Sequence, residues 1–197
     1  MRFVIALILL VLAGCDKESE PKGQAQPAST AKAGASDKAE ITLESANGMR
    51  ATLSYTFAGQ KAPSAPFADA QGQDVSLADF EGKPLLLNIW ATWCAPCKAE
   101  MPTLDALAKL EKGRMSVIAV SQDLEGRAPV AAFFTETGVK NLVPYTDADN
   151  ALLTAFNNAI ALPTTILYDS DGKEVWRVAG GVEWDEAEMA KLLRAAD

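Results

Sequence analysis

Two cysteines three residues apart sit where an apolar run meets a helical stripe, and this junction constrains the fold more than anything else in the chain. The run 85–90 (LLLNIW) suits a strand buried on both faces. Trp93-Cys94-Ala95-Pro96-Cys97 follows at once. Met101, Leu104, Leu107 and Ala108 then make a helical stripe, interrupted by Pro102 and ended near Gly113. Cys94 therefore falls at a helix N-terminus, where unpaired N–H groups and the helix dipole favour a thiolate. Cys97 lies one turn into the helix and can close a short disulfide, so the pair can cycle between dithiol and disulfide with little movement.

Three other uses of the pair meet obstacles. A purely structural disulfide would close so small a loop that its entropic gain is slight. A metal site lacks further ligands, since the chain has three cysteines and no histidine, and covalent haem would need a histidine where Lys98 stands. A peroxide-reducing cysteine would want Thr or Ser three positions earlier and Pro seven earlier, where this chain has Ala91 and Leu87. The same inventory excludes Ser-His and Cys-His catalytic pairs, which leaves cysteine or carboxylate chemistry. No cofactor and no metal is expected.

The remaining pattern is mixed α/β. Strands are expected at 115–121, 142–146, 164–168 and 174–179, the last two joined by the turn Asp169-Ser170-Asp171-Gly172. Helices are expected around Val130, Phe133 and Phe134, around Leu152, Leu153 and Phe156, and at the end, where Trp184, Ala187, Met189, Leu192 and Leu193 make a closing helix with Asp185 available as its N-cap. With 197 residues, 49% hydrophobic and 22% charged, the chain supports one ordinary domain plus extensions. A net charge of −8 without a basic run argues against nucleic-acid binding.

The N-terminus reads as an address. Arg2 precedes an eleven-residue apolar run, 3–13, and Ala13-Gly14 supply small residues before Cys15. That run is too short to span a bilayer, which needs ~20 residues, and suits a signal peptide. The tetrad 12–15 (LAGC) resembles the lipobox of bacterial lipoproteins, which implies a lipidated Cys15 after removal of residues 1–14. An ordinary signal, or an apolar helix tucked into the fold, are the other readings. Asp16 resembles an inner-membrane retention signal. Residues 16–40 contain no Val, Ile, Leu, Met or aromatic residue, so they read as a flexible tether with a reach of roughly 25–30 Å. Alternating apolar positions in 41–57 around Asn47-Gly48 predict a strand pair, either added to the main sheet or forming a small separate unit.

Three stretches in this order, 75–84 (VSLADFEGKP), 88–102 (NIWATWCAPCKAEMP) and 162–173 (LPTTILYDSDGK), resemble the thioredoxin-like superfamily, more narrowly the membrane-attached thiol-disulfide oxidoreductases of the TlpA/ResA type. The resemblance covers about residues 62–197, leaving 41–61 as an N-terminal strand-rich extension. It implies a three-layer fold, a central mixed sheet flanked by helices. It makes Cys94 the exposed nucleophile, Cys97 the resolving cysteine and Pro163 a cis-proline facing them. Leu162 would offer backbone groups to an extended substrate, and Trp93 would pack beside the disulfide unless it is simply a core aromatic. Thioredoxin's buried aspartate is replaced here by Asn88. Some relatives carry a glutamate three residues after the second cysteine, here Glu100, on the same helical face as Cys97. Glu100 either tunes Cys97 or relays its proton, or else is an ordinary solvated helix residue.

Strong oxidants of the DsbA kind, near ~−120 mV, stabilise their thiolate heavily, commonly with a histidine between the cysteines. Ala95-Pro96 has none, so a potential nearer the reducing end is expected, and with it donation of electrons to protein disulfides. The resemblance implies a periplasmic, lipid-anchored protein at the bacterial inner membrane, recharged by a membrane donor of the DsbD/CcdA type. Its substrates would be apocytochrome c or copper-site cysteine pairs. A disulfide oxidase or isomerase on the same fold is the nearest alternative, and a non-catalytic envelope lipoprotein a more distant one.

Overall fold

The computed structural model describes residues 40–45, 48–157 and 160–196. The expectations for the signal, Cys15 and the tether to residue 39 lie outside these residues, as does Asn47.

In chain order the elements are β1 (Ile41–Glu44), β2 (Arg50–Ser54), β3 (Phe67–Ala68), β4 (Asp74–Val75), a one-turn 3₁₀ helix (Leu77–Phe80), β5 (Leu85–Trp90) and α1 (Ala95–Leu110). Then come β6 (Ser116–Ser121), α2 (Arg127–Thr137), β7 (Pro144–Thr146), α3 (Ala151–Ala155), β8 (Thr164–Tyr168), β9 (Glu174–Ala179), α4 (Ala187–Leu193) and a closing 3₁₀ turn. Among the described residues the strands form one sheet in the order β1-β2-β9-β8-β5-β6-β7-β3-β4. β6 runs parallel to β5 and β7, whereas β8 is antiparallel to β5. The expected strand pair joins this sheet: β2 pairs with β9 through Thr52↔Ala179 and Leu53↔Val178.

β5 lies in the middle, and all six of its residues are buried. Its alternation divides the core. Leu86 and Trp90 face one layer, with Met101, Leu104 and Leu107 of α1, Val130 and Phe134 of α2, and Met189 and Leu193 of α4. Leu85, Leu87 and Ile89 face the other, with Leu152 of α3, Leu77, Phe67 and Ile166. The result is the three-layer mixed architecture implied by the resemblance. Each such aliphatic side chain contributes about 1.5–3 kcal/mol by leaving water.

Two local expectations are corrected. α1 runs unbroken through Pro102. The backbone bond that Pro102 cannot make would end on the Lys98 carbonyl; both residues are exposed, so solvent can take the unused acceptor. The N-cap of α4 is Glu186, not Asp185, and it makes no side-chain cap. The Trp184 N–H is already held by Thr103 Oγ1 at 3.1 Å, which keeps 184–185 in a turn and delays the helix. The two-residue strands β3 and β4 are too short to show a period in the sequence.

Candidate active site

β5 ends at Trp90, and after a short turn Cys94 becomes the N-cap of α1 with extended backbone (φ −87°, ψ 107°). Pro96 stands in the first turn, where a missing N–H is harmless. Cys94 and Cys97 form a disulfide, with S–S 2.00 Å and Cα–Cα 5.3 Å. Cys94 Sγ also accepts the Cys97 N–H at 3.3 Å, so a helix-end donor already faces the sulfur on which a thiolate would develop. The expectation of an exposed Cys94 needs adjustment. In the disulfide it keeps 5% exposure against 0% for Cys97, because its sulfur is turned inward over the helix end.

One turn beyond Cys97, Glu100 is fully buried. The solvated-helix alternative is therefore removed. Asn88 Nδ2, from β5, donates to Glu100 Oε1 at 2.7 Å and to Thr165 Oγ1 of β8 at 2.9 Å. The Val182 N–H donates to Glu100 Oε2 at 3.2 Å. The Trp184 indole faces the same carboxylate, yet its N–H meets no acceptor in hydrogen-bond geometry. Burial raises the Glu100 pKa to about 7, against the lowering effect of the Asn88 and Val182 donors. A carboxyl that changes protonation near neutrality, one turn from a cysteine, can take up or release a proton as the disulfide opens and closes.

A second carboxylate, unforeseen in the sequence, fixes the turn before the cysteines. Asp123, 1% exposed, accepts the Thr92 N–H at 2.9 Å, the Thr92 hydroxyl at 2.5 Å and the Ser121 hydroxyl. The Gln122 N–H continues the β5–β6 ladder to the Trp90 carbonyl at 2.8 Å. The available signal was the polar triplet Ser121-Gln122-Asp123 closing an apolar strand, since sites in α/β sheets gather at the carboxyl ends of parallel strands.

The loop between α3 and β8 brings Leu162-Pro163 to the same end of the sheet, and their peptide bond is cis. The Pro163 carbonyl accepts the Gly180 N–H at 2.9 Å, whereas no backbone bond ties the Leu162 N–H or carbonyl to the described residues. Trp93 is 67% exposed and so is not a core aromatic; it stands at the surface, adjacent in the chain to Cys94. The structure thus brings Trp93, Cys94, Cys97, Glu100, Leu162 and Pro163 to one end of the sheet, with Asn88 beneath.

The Redoxin family pattern matches residues 57–193, a stretch that includes both cysteines, Glu100 and Pro163. The chain belongs to the Redoxin family. Within it, the thiol-disulfide oxidoreductase ResA of Bacillus thuringiensis is 34% identical over 123 residues, 62% of this chain and 69% of that protein. A Chlorobium tepidum structure described as a thiol:disulfide interchange protein, DsbE, superposes with TM-score 0.62 at 25% identity, covering 71% of this chain and 98% of that one. The exposed lipoprotein thioredoxin of Streptococcus pneumoniae superposes with TM-score 0.53 at 25% identity, covering 66% and 96%. This Redoxin member is therefore a thioredoxin-like thiol-disulfide oxidoreductase of the TlpA/ResA type.

Proposed function

We propose that the protein is an exported, lipid-anchored reductase of protein disulfides that works through Cys94 and Cys97. The observation that carries this reading is a cysteine pair at the start of α1 with a buried Glu100 one turn behind it, its pKa raised by burial to about 7. The Cys94 thiolate attacks one sulfur of a substrate disulfide, forming a mixed disulfide and releasing the other substrate sulfur as a thiolate that takes a proton. Glu100, in its carboxylate form, accepts the Cys97 proton. The Cys97 thiolate then attacks Cys94 Sγ, closing the Cys94–Cys97 disulfide and freeing the second substrate thiolate. The substrate gains two electrons and two protons, and the pair is oxidised.

Trp93 supplies an apolar surface beside the nucleophile, and the open Leu162 backbone groups receive an extended substrate segment as an added strand. The absence of a histidine between the cysteines supports the reducing direction. Cys15 carries the anchor and residues 16–40 the tether; the pneumococcal neighbour's own description as a lipoprotein supports this arrangement. A DsbD/CcdA-type membrane donor returns electrons, and apocytochrome c or copper-site cysteine pairs are the substrates.

The test is trapping. Cys97→Ser in the full chain is expected to accumulate a mixed disulfide through Cys94 with an exported, cysteine-paired protein, and to lose insulin-disulfide reduction. Full insulin reduction by that variant, or by Cys94→Ser, would overturn the reading.

A further inference from the structure

The hairpin β1–β2, residues 41–54, lies outside the family-matched stretch 57–193, yet its tip is fastened to the active site. The contacts run through five consecutive residues after β9. Gly180, at φ +107°, donates to the Pro163 carbonyl, and a side chain there would begin 2.5 Å from the Arg50 carbonyl and 2.9 Å from Ala51 Cα. Only glycine fits this crossing against β2. A side chain at Gly181 would begin 3.1 Å from Met49 Sδ and 3.4 Å from the Pro96 carbonyl, so Gly181 is clamped between the hairpin and the segment linking the two cysteines. Val182 donates to Glu100 Oε2. The Glu183 N–H donates to Ser45 Oγ at 3.1 Å, and Ser45 is itself only 6% exposed. The Trp184 N–H ends on Thr103 Oγ1, which in turn donates to the Glu100 carbonyl.

We propose that the tip of the β1–β2 hairpin is a working part of the active site: Ser45 and Met49 are positioning residues that hold segment 180–184 so that the Val182 N–H stays on Glu100. The inference rests on the reading of Glu100 given above. Among the described residues the groups facing Glu100 are neutral: Asn88 from β5, and Val182 and Trp184 from the segment; the cysteine pair, one turn earlier on α1, is uncharged as the disulfide. Among the described residues no charged side chain contributes to its proton affinity. Burial raises its proton affinity and the donors Asn88 and Val182 lower it, and one of these donors is positioned by the hairpin. Without Ser45 Oγ the Glu183 N–H loses this hydrogen bond to the hairpin, the segment is held less firmly and Glu100 holds its proton to higher pH.

The experiment follows the Glu100 carboxyl directly, in oxidised full-length protein carrying ¹³C-labelled glutamate, with Glu100→Gln identifying its signal. Ser45→Ala is expected to raise the titration midpoint by about one unit, roughly the share of one backbone donor. Ser45→Thr, which keeps the oxygen, should return it to the starting value, a rescue that a general loosening of the fold would not give. Met49→Ala should move the midpoint the same way by less, and it carries the test if Ser45→Ala does not fold. An unmoved midpoint in the folded variants overturns the proposal. The pH profile of insulin reduction separates the two readings. If the midpoint moves and the profile follows, both stand. If the midpoint moves and the profile does not, the hairpin's hold on Glu100 stands and the proton-relay role of Glu100 falls.

Discussion

Glu100 and Asp123 are almost equally removed from solvent, at 0% and 1% exposure, one behind the cysteine pair in α1 and the other bound to Thr92 ahead of it. Asp123 gathers three donors from two residues, all close to it in the fold, and ties the turn after β5 to the end of β6. Glu100 has two donors, Asn88 and Val182, from different layers, and its proton affinity is raised to a value near neutrality. The difference teaches that burial alone does not give a carboxylate its role. Asp123 is a fastener of the turn by its hydrogen bonds, whereas at Glu100 burial outweighs the donors and holds the carboxyl's proton affinity near neutrality.

The contrast is broken or sharpened first by pH. Because Glu100 binds its proton more tightly folded than unfolded, it stabilises the fold fully below about pH 4.5, and this stability is lost as pH rises through about 7. The loss amounts to about 3 kcal/mol at most. Urea unfolding of the oxidised protein at a series of pH values should show the decline, and Glu100→Gln should flatten it. A profile identical in both proteins would show that Glu100 does not change protonation between the folded and unfolded chain in this range. Next in size, Asp123→Ala strands the Thr92 and Ser121 donors and should cost about 2 kcal/mol in the same unfolding measurement. A loss well under that would mean Asp123 does not fasten the turn. Smallest, Thr165→Val removes the second acceptor of Asn88 and should cost about 1 kcal/mol, with a small upward move of the Glu100 midpoint as Asn88 is held less firmly.

The sequence made much of this layout legible where the signal was local. Leu85–Trp90 stands out because a central strand buried on both faces must be apolar nearly throughout, and the turn 169–172 because its residues favour the conformation they adopt. Spacing placed Glu100 on the cysteine face of α1, but not its burial, since that depends on Asn88 and on segment 180–184, which lies 80 residues away in the chain. Asp123 was missed for the same reason: its partner Thr92 is brought to it by the parallel β5–β6 ladder. The Asp185 cap was misplaced because a hydrogen bond from a different helix decides where α4 begins.

The engagement of the Pro163 carbonyl by Gly180, with the Leu162 backbone groups unbonded to the other described residues, has a consequence for the proposed docking of substrates. On that proposal a visiting polypeptide would meet, among the described residues, one unbonded backbone position beside the sulfurs, and would have no ladder along which to slide. Whichever of its residues settled opposite Leu162 would set the frame, and the sulfur offered to Cys94 would be selected by that alignment before any bond is exchanged.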